Sequence, residues 1–93
     1  MPVHVGDVYT VQGARADKAQ ALKILEEAAE VFSAWENYEH DSSSSIRIAC
    51  LRDELADLIT AACGMFAAMG FEDAERALEL SKARNEERGR VME

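Results

Sequence analysis

Apolar residues recur at steps of three and four along most of the chain, the period of helices that bury one face. Leu22, Leu25, Ala28, Ala29, Phe32 and Trp35 form the first stripe, in a helix expected from about Asp17 to His40. Asp17 is placed to cap that helix, and Gln20 stands three residues on, where it completes a capping box. Asp41 and the serines 42–45 then break the period, because their side chains compete for backbone hydrogen bonds and favour turns. A second stripe of Ile48, Leu51, Leu55, Leu58, Ile59, Ala62, Phe66 and Met69 predicts a helix from about Ile46 to Met69, ended by Gly70. A third helix is expected from about Glu72 to Glu87. Its acids, Glu72, Asp73 and Glu75, come first and its bases, Arg84 and Arg88, come last, as a helix dipole favours. Ahead of all three, Val3, Val5, Val8, Tyr9 and Val11 are broken by Pro2, Gly6 and Gly13 and lack a helical period, which predicts an extended arm or short strand over residues 1–16. The expected fold is therefore all-α, an antiparallel helical hairpin plus a C-terminal helix within residues 17–93.

The segment 58–70 changes this picture, since it holds no charged residue and is apolar on nearly every side. Such a helix is buried all round, and three helices are too few to enclose it. A chain of 93 residues also buries only roughly 60–65% of its unfolded surface, which leaves a lone core marginal. A homodimer or homotetramer is expected, an oligomeric helical bundle in which Ala61, Ala62, Gly64, Ala67 and Ala68 let neighbouring helices close in. No run approaches the roughly 18–20 apolar residues of a membrane span. The first residues lack the basic region, apolar run and cleavage site of a secretory signal, so the cytoplasm is the expected location. Cys50 and Cys63, without Cys-x-x-Cys spacing, read as reduced core residues.

A net charge of −8 excludes a protein that wraps a nucleic-acid polymer, which needs Lys and Arg to neutralise phosphates. The acids are also ordered. Glu26, Glu27 and Glu30 lie in the first helix, Glu54 and Asp57 in the second, and residues three apart share a face. A hairpin about the serine turn brings Glu27 and Glu30 level with Glu54 and Asp57, so four carboxylates are expected to meet. Like charges at helical spacing repel by a few tenths of a kcal/mol when exposed and by more where water is excluded. A hard divalent cation, Mg²⁺ or in its place Mn²⁺, offsets that repulsion and accepts phosphate oxygens as further ligands. It also reverses the local sign, so that an acidic protein can receive a polyphosphate. The same acids equally fit a solvated surface, because Glu26, Glu27 and Glu30 fall opposite the Leu22–Trp35 stripe. Neither His4 nor His40 has an evident partner for nucleophilic catalysis. The Glu-x-x-His pairs of a carboxylate-bridged di-iron site are absent.

The order Glu-Glu-x-x-Glu (Glu26, Glu27, Glu30), a spacer of about two dozen residues, then Glu-x-x-Asp (Glu54, Asp57) resembles the signature of the all-α nucleoside triphosphate pyrophosphohydrolases, the MazG-like superfamily. Lys23-Ile24-Leu25, Leu58-Ile59, Met69-Gly70-Phe71 and the spacing Lys82, Asn85, Arg88 add to the likeness, which runs from about Asp17 to Arg90. The resemblance implies a Mg²⁺-dependent enzyme that cleaves a nucleoside triphosphate to the monophosphate and pyrophosphate. It implies Glu27, Glu30, Glu54 and Asp57 as metal ligands, Glu26 with Glu30 as catalytic carboxylates, and Lys82, Asn85 and Arg88 as contacts to the phosphates. Trp35 is a candidate to stack on the base. Two other readings remain open: a pyrophosphohydrolase for a phosphoribosyl compound such as phosphoribosyl-ATP, and a helical interaction module whose acids are only surface.

Overall fold

A computed structural model describes residues 3–10 and 13–90, so Pro2 and Val11 of the expected arm lie outside the described residues. Three helices follow one another: α1 (Lys18–His40), α2 (Ser45–Met69) and α3 (Phe71–Glu87). Each begins and ends within a residue of its expected bounds, and the described residues contain no strand. Residues 3–10 have no regular secondary structure. Val5, Asp7, Val8 and Tyr9 of this arm form a shallow cleft with Ala56, Ile59 and Thr60 of α2.

Local chemistry sets the helix ends. The Asp17 side chain accepts from the Gln20 backbone N–H at 3.0 Å, satisfying one of the orphan donors of the first turn. Gln20 does not return the favour as a capping box would: its side-chain amide donates instead to the Ala61 carbonyl of α2 at 2.8 Å. Asp41 accepts from both the backbone N–H and the hydroxyl of Ser43, and Ser44 caps α2 by accepting from the Arg47 N–H. Gly70 joins α2 to α3 without a linker. Its φ of +117° is one that residues with a Cβ avoid.

The hairpin of α1 and α2 is the main packed unit, and among the described residues α3 packs on α2 but not on α1. Two cross-helix hydrogen bonds fix its antiparallel register: Gln20 to Ala61 near the open end, and Arg47 Nη1 to the Asn37 carbonyl, 2.8 Å, near the turn. Along α1 the half-buried or buried residues are Gln20, Ile24, Glu27, Val31, Ala34 and Tyr38, a regular four-three repeat that forms a seam. Arg47, Leu51, Glu54, Leu58 and Ala61 repeat the pattern on α2. The packed face of α1 is therefore not the apolar stripe that its sequence advertises: Leu22, Leu25, Phe32 and Trp35 are exposed. Ala61 and Gly64 are buried, and Gly64 sits so close to the Gln20 amide that an added Cβ would lie 3.1 Å from its nitrogen. Gly64 thus serves helix approach within one chain. Cys63 is half-buried, whereas Cys50, expected in the core, is exposed; both are free thiols. Among the described residues no helix is long and apolar enough to cross a membrane.

Candidate metal centre

The seam places three of the four expected carboxylates together. Glu27 occupies a seam position of α1, Glu30 stands one turn further along, and Glu54 projects from the facing seam of α2. One oxygen from each lies within 4.8 Å of the others. Glu27 is 5% exposed, although its place opposite the Leu22–Trp35 stripe suggested solvent. Its Oε1 accepts an ion pair from Lys23 Nζ at 2.7 Å. Its Oε2 and the Oε2 of Glu54 are shielded from solvent and have no hydrogen-bond partner. An unpartnered buried carboxylate oxygen is costly, and a bound cation is one of the few groups that satisfies two at once. The donor set, hard carboxylate oxygens converging from two rigid helices, fits Mg²⁺ or Mn²⁺ rather than a metal preferring sulfur or imidazole.

Electrostatics around the cluster follow from its geometry. Hydrogen bonding with Glu54, followed by the charge of Glu27, pushes the Glu30 carboxyl up from its ordinary value. The Glu27 carboxylate, through its hydrogen bond and then its charge, raises the Lys23 ammonium. Both directions signal local excess negative charge.

Two clefts flank the cluster. The larger, about 490 Å³, opens toward the serine turn between Glu30, Ser33 and Asn37 of α1 and Arg47, Cys50 and Glu54 of α2. The other, about 320 Å³, lies toward the open end between Gln20, Lys23 and Glu27 on one side and Asp57, Thr60 and Gly64 on the other, with Thr10 and Ala14 of the arm at its edge. Asp57 therefore faces Glu27 across the second cleft and does not join the group of three. Glu26 is exposed and also outside that group.

The bases nominated by the sequence lie elsewhere. Lys82 pairs with Glu86 of its own helix at 3.5 Å, Asn85 is half-buried, and Arg88 caps the end of α3. None of the three lines either cleft. Trp35 lines neither cleft and packs on Phe32, ring centroids 5.8 Å apart. Among the described residues the cations beside the carboxylates are Lys23 and Arg47, neither of them a site residue expected from the sequence pattern. Arg47 was findable, since it precedes Glu54 by two helical turns on one face. Lys23 at four residues before Glu27 is the ordinary spacing of a helical ion pair. No protein-family model, curated protein or solved structure matches the chain.

Proposed function

We propose that the chain is a Mg²⁺-dependent nucleoside triphosphate pyrophosphohydrolase of the MazG-like kind. The observation that carries this reading is the pair of buried, unpartnered oxygens of Glu27 and Glu54, on two residues whose carboxylates converge with that of Glu30 across the hairpin. Glu27, Glu30 and Glu54 hold the metal, with Asp57 in reach of a second ion or a ligated water on the other side of Glu27. When bound, Mg²⁺ supplies charge neutralisation at phosphate oxygens and a polarised water.

The chain's own residues supply orientation and charge. Glu30 and Glu26 orient the attacking water and receive its proton. Water adds to the α-phosphorus, the bond to the bridging oxygen breaks, and pyrophosphate leaves without a covalent enzyme intermediate. The cleft of about 490 Å³ is large enough for the phosphates and part of a nucleoside. Its Arg47 guanidinium suits phosphate oxygens, which it can engage in a planar fork. Lys82, Asn85 and Arg88, to which the resemblance gives phosphate contacts, line neither cleft, so Arg47 is the base proposed for the phosphates.

The test is pyrophosphate release from a panel of ribonucleoside and deoxyribonucleoside triphosphates and phosphoribosyl-ATP, with and without Mg²⁺, on wild type and Glu30→Gln. Metal-dependent release from a triphosphate, abolished in Glu30→Gln, is expected. Release from phosphoribosyl-ATP alone would move the substrate class while preserving the site. No release from any compound, together with no effect of Mg²⁺ on thermal stability, would leave a helical interaction module and overturn the proposal.

A further inference from the structure

The hairpin leaves the more apolar face of α1 without a partner. Leu22 is 47% exposed, Leu25 65%, Phe32 60% and Trp35 43%, and Ala28 and Ala29 between them are also exposed. The described parts of the chain do not cover this face: α3 packs on α2 and not on α1, and the arm lies along α2. On a helical wheel it stands roughly 150° from Glu30, so it is separate from the clefts.

The chain as a whole is short of buried surface. Its accessible area is 7643 Å², whereas a compact monomer of this mass exposes about 5,400 Å², leaving roughly 2,200 Å² in excess. Its radius of gyration, 15.2 Å, exceeds the roughly 12 Å of a compact chain of this length. Among the described residues the buried apolar set is Ala34, Ala61 and Ala74, and no side chain is fully buried. That excess, to which the irregular residues 3–10 also contribute, is of the order that each subunit of an obligate homodimer covers, about 1,000–2,500 Å².

The sequence of the face says what covers it. Leu22 and Leu25 stand before a centre at Ala28 and Ala29, and Phe32 and Trp35 stand equally far beyond it. Turned about a two-fold axis through that centre, a second α1 sets Leu22 against Trp35 and Leu25 against Phe32, with alanines at the crossing where the backbones approach. The same operation sets Lys18 opposite Glu39, both exposed and of opposite charge. This is the self-complementarity an isologous contact requires. We infer that a second copy of this chain docks antiparallel on α1 along Leu22, Leu25, Ala28, Ala29, Phe32 and Trp35. This interface differs in place from the one expected on the apolar half of α2. The inference does not depend on the metal or the reaction.

Sedimentation equilibrium on the full chain at micromolar concentration, without substrate, tests it. Wild type is expected to have the mass of a dimer or of a multiple of it. Leu25→Asp is expected to weaken association by at least about 100-fold, since two leucines per dimer lose their burial. Because Leu25→Asp also perturbs the chain that must fold before it associates, two gentler measurements accompany it. Lys18→Glu and Glu39→Lys should each weaken the dimer several-fold, and the double exchange should restore it. Ala29→Cys, in a background with Cys50→Ser and Cys63→Ala, should form an intersubunit disulfide on oxidation while folded by circular dichroism. A wild-type monomer at micromolar concentration overturns the inference, and so does a dimer in which the charge exchange does not restore affinity and Ala29→Cys does not cross-link.

Discussion

Replacing Glu54 by Gln keeps the side chain's size and removes one charge from the seam. Its oxygen lies within 4.8 Å of Glu27 and of Glu30. At that distance two unit charges repel by about 0.9 kcal/mol at the permittivity of water and about 3.5 kcal/mol at the effective value typical near a protein surface. Glu27 is buried and Glu54 half-buried, so the relief falls between these limits, roughly 1–3 kcal/mol. The amide also brings donors that the lone carboxylate oxygens lack. In EDTA, Glu54→Gln should therefore melt at least about 4 °C higher than wild type, given a shift of about 4–8 °C per kcal/mol for a domain of this size. Mg²⁺ narrows that gap. At ten times its dissociation constant it stabilises wild type by about 1.4 kcal/mol, whereas the Gln variant, having lost a ligand, gains much less. Differential scanning calorimetry at fixed protein concentration, across a Mg²⁺ series, reads both effects. A lower Tm for Glu54→Gln in EDTA would mean that the carboxylate is a structural partner, and an undiminished response to Mg²⁺ would remove Glu54 from the metal centre.

The pH dependence of the metal-free protein should run against the usual carboxylate trend. The Glu30 carboxyl is raised in the folded state by Glu54 and Glu27, so the fold binds that proton more tightly than the unfolded chain does. The resulting stability is present below the ordinary carboxylate value and is lost as pH rises through the raised one; Tm measured against pH in EDTA should fall across that window, and saturating Mg²⁺ should flatten the fall. Gly64→Ala gains about 1 kcal/mol of helix propensity but crowds the Gln20 amide at 3.1 Å. Urea titration should find it near neutral in wild type and stabilising in a Gln20→Ala background; equal effects in both would mean that Gln20 yields freely. Asp17→Ala removes the cap on Gln20 N–H and should cost about 1 kcal/mol in the same assay while leaving kcat unchanged.

The helices were legible because their punctuation is local. Asp17, Asp41, Ser44 and Gly70 each act through their own backbone or near neighbours, so the sequence alone marks where α1, α2 and α3 stop. The pairing faces were not. Hydrophobic period selects Leu22, Leu25, Phe32 and Trp35, yet the hairpin closes on Gln20, Ile24, Glu27, Val31, Ala34 and Tyr38. A polarity pattern registers that a face wants burial and says nothing about whether the same chain or another provides it. The carboxylates illustrate the converse. Their order along the chain brought Glu27, Glu30 and Glu54 to one level, but Asp57, three residues beyond Glu54, projects from α2 into the next cleft. That offset depends on seam register, which Gln20 and Gly64 set. The register bond of Arg47 leaves no mark in the sequence, because its partner, the Asn37 carbonyl, is a backbone group without a signature.

The seam also bears on how the hairpin opens. The carboxylates interrupt it between two packed stretches, Val31, Ala34 and Leu51 toward the turn and Ile24, Leu58 and Ala61 toward the open end. In that layer one shielded oxygen each of Glu27 and Glu54 lacks a hydrogen-bond partner, so without a cation the two stretches are expected to exchange their amide protons as separate units, each with its own opening free energy. A cation shared by Glu27, Glu30 and Glu54 ties the stretches across the gap and makes them one cooperative unit. Occupancy of the centre would then be written into the exchange rates of amides many residues from any carboxylate.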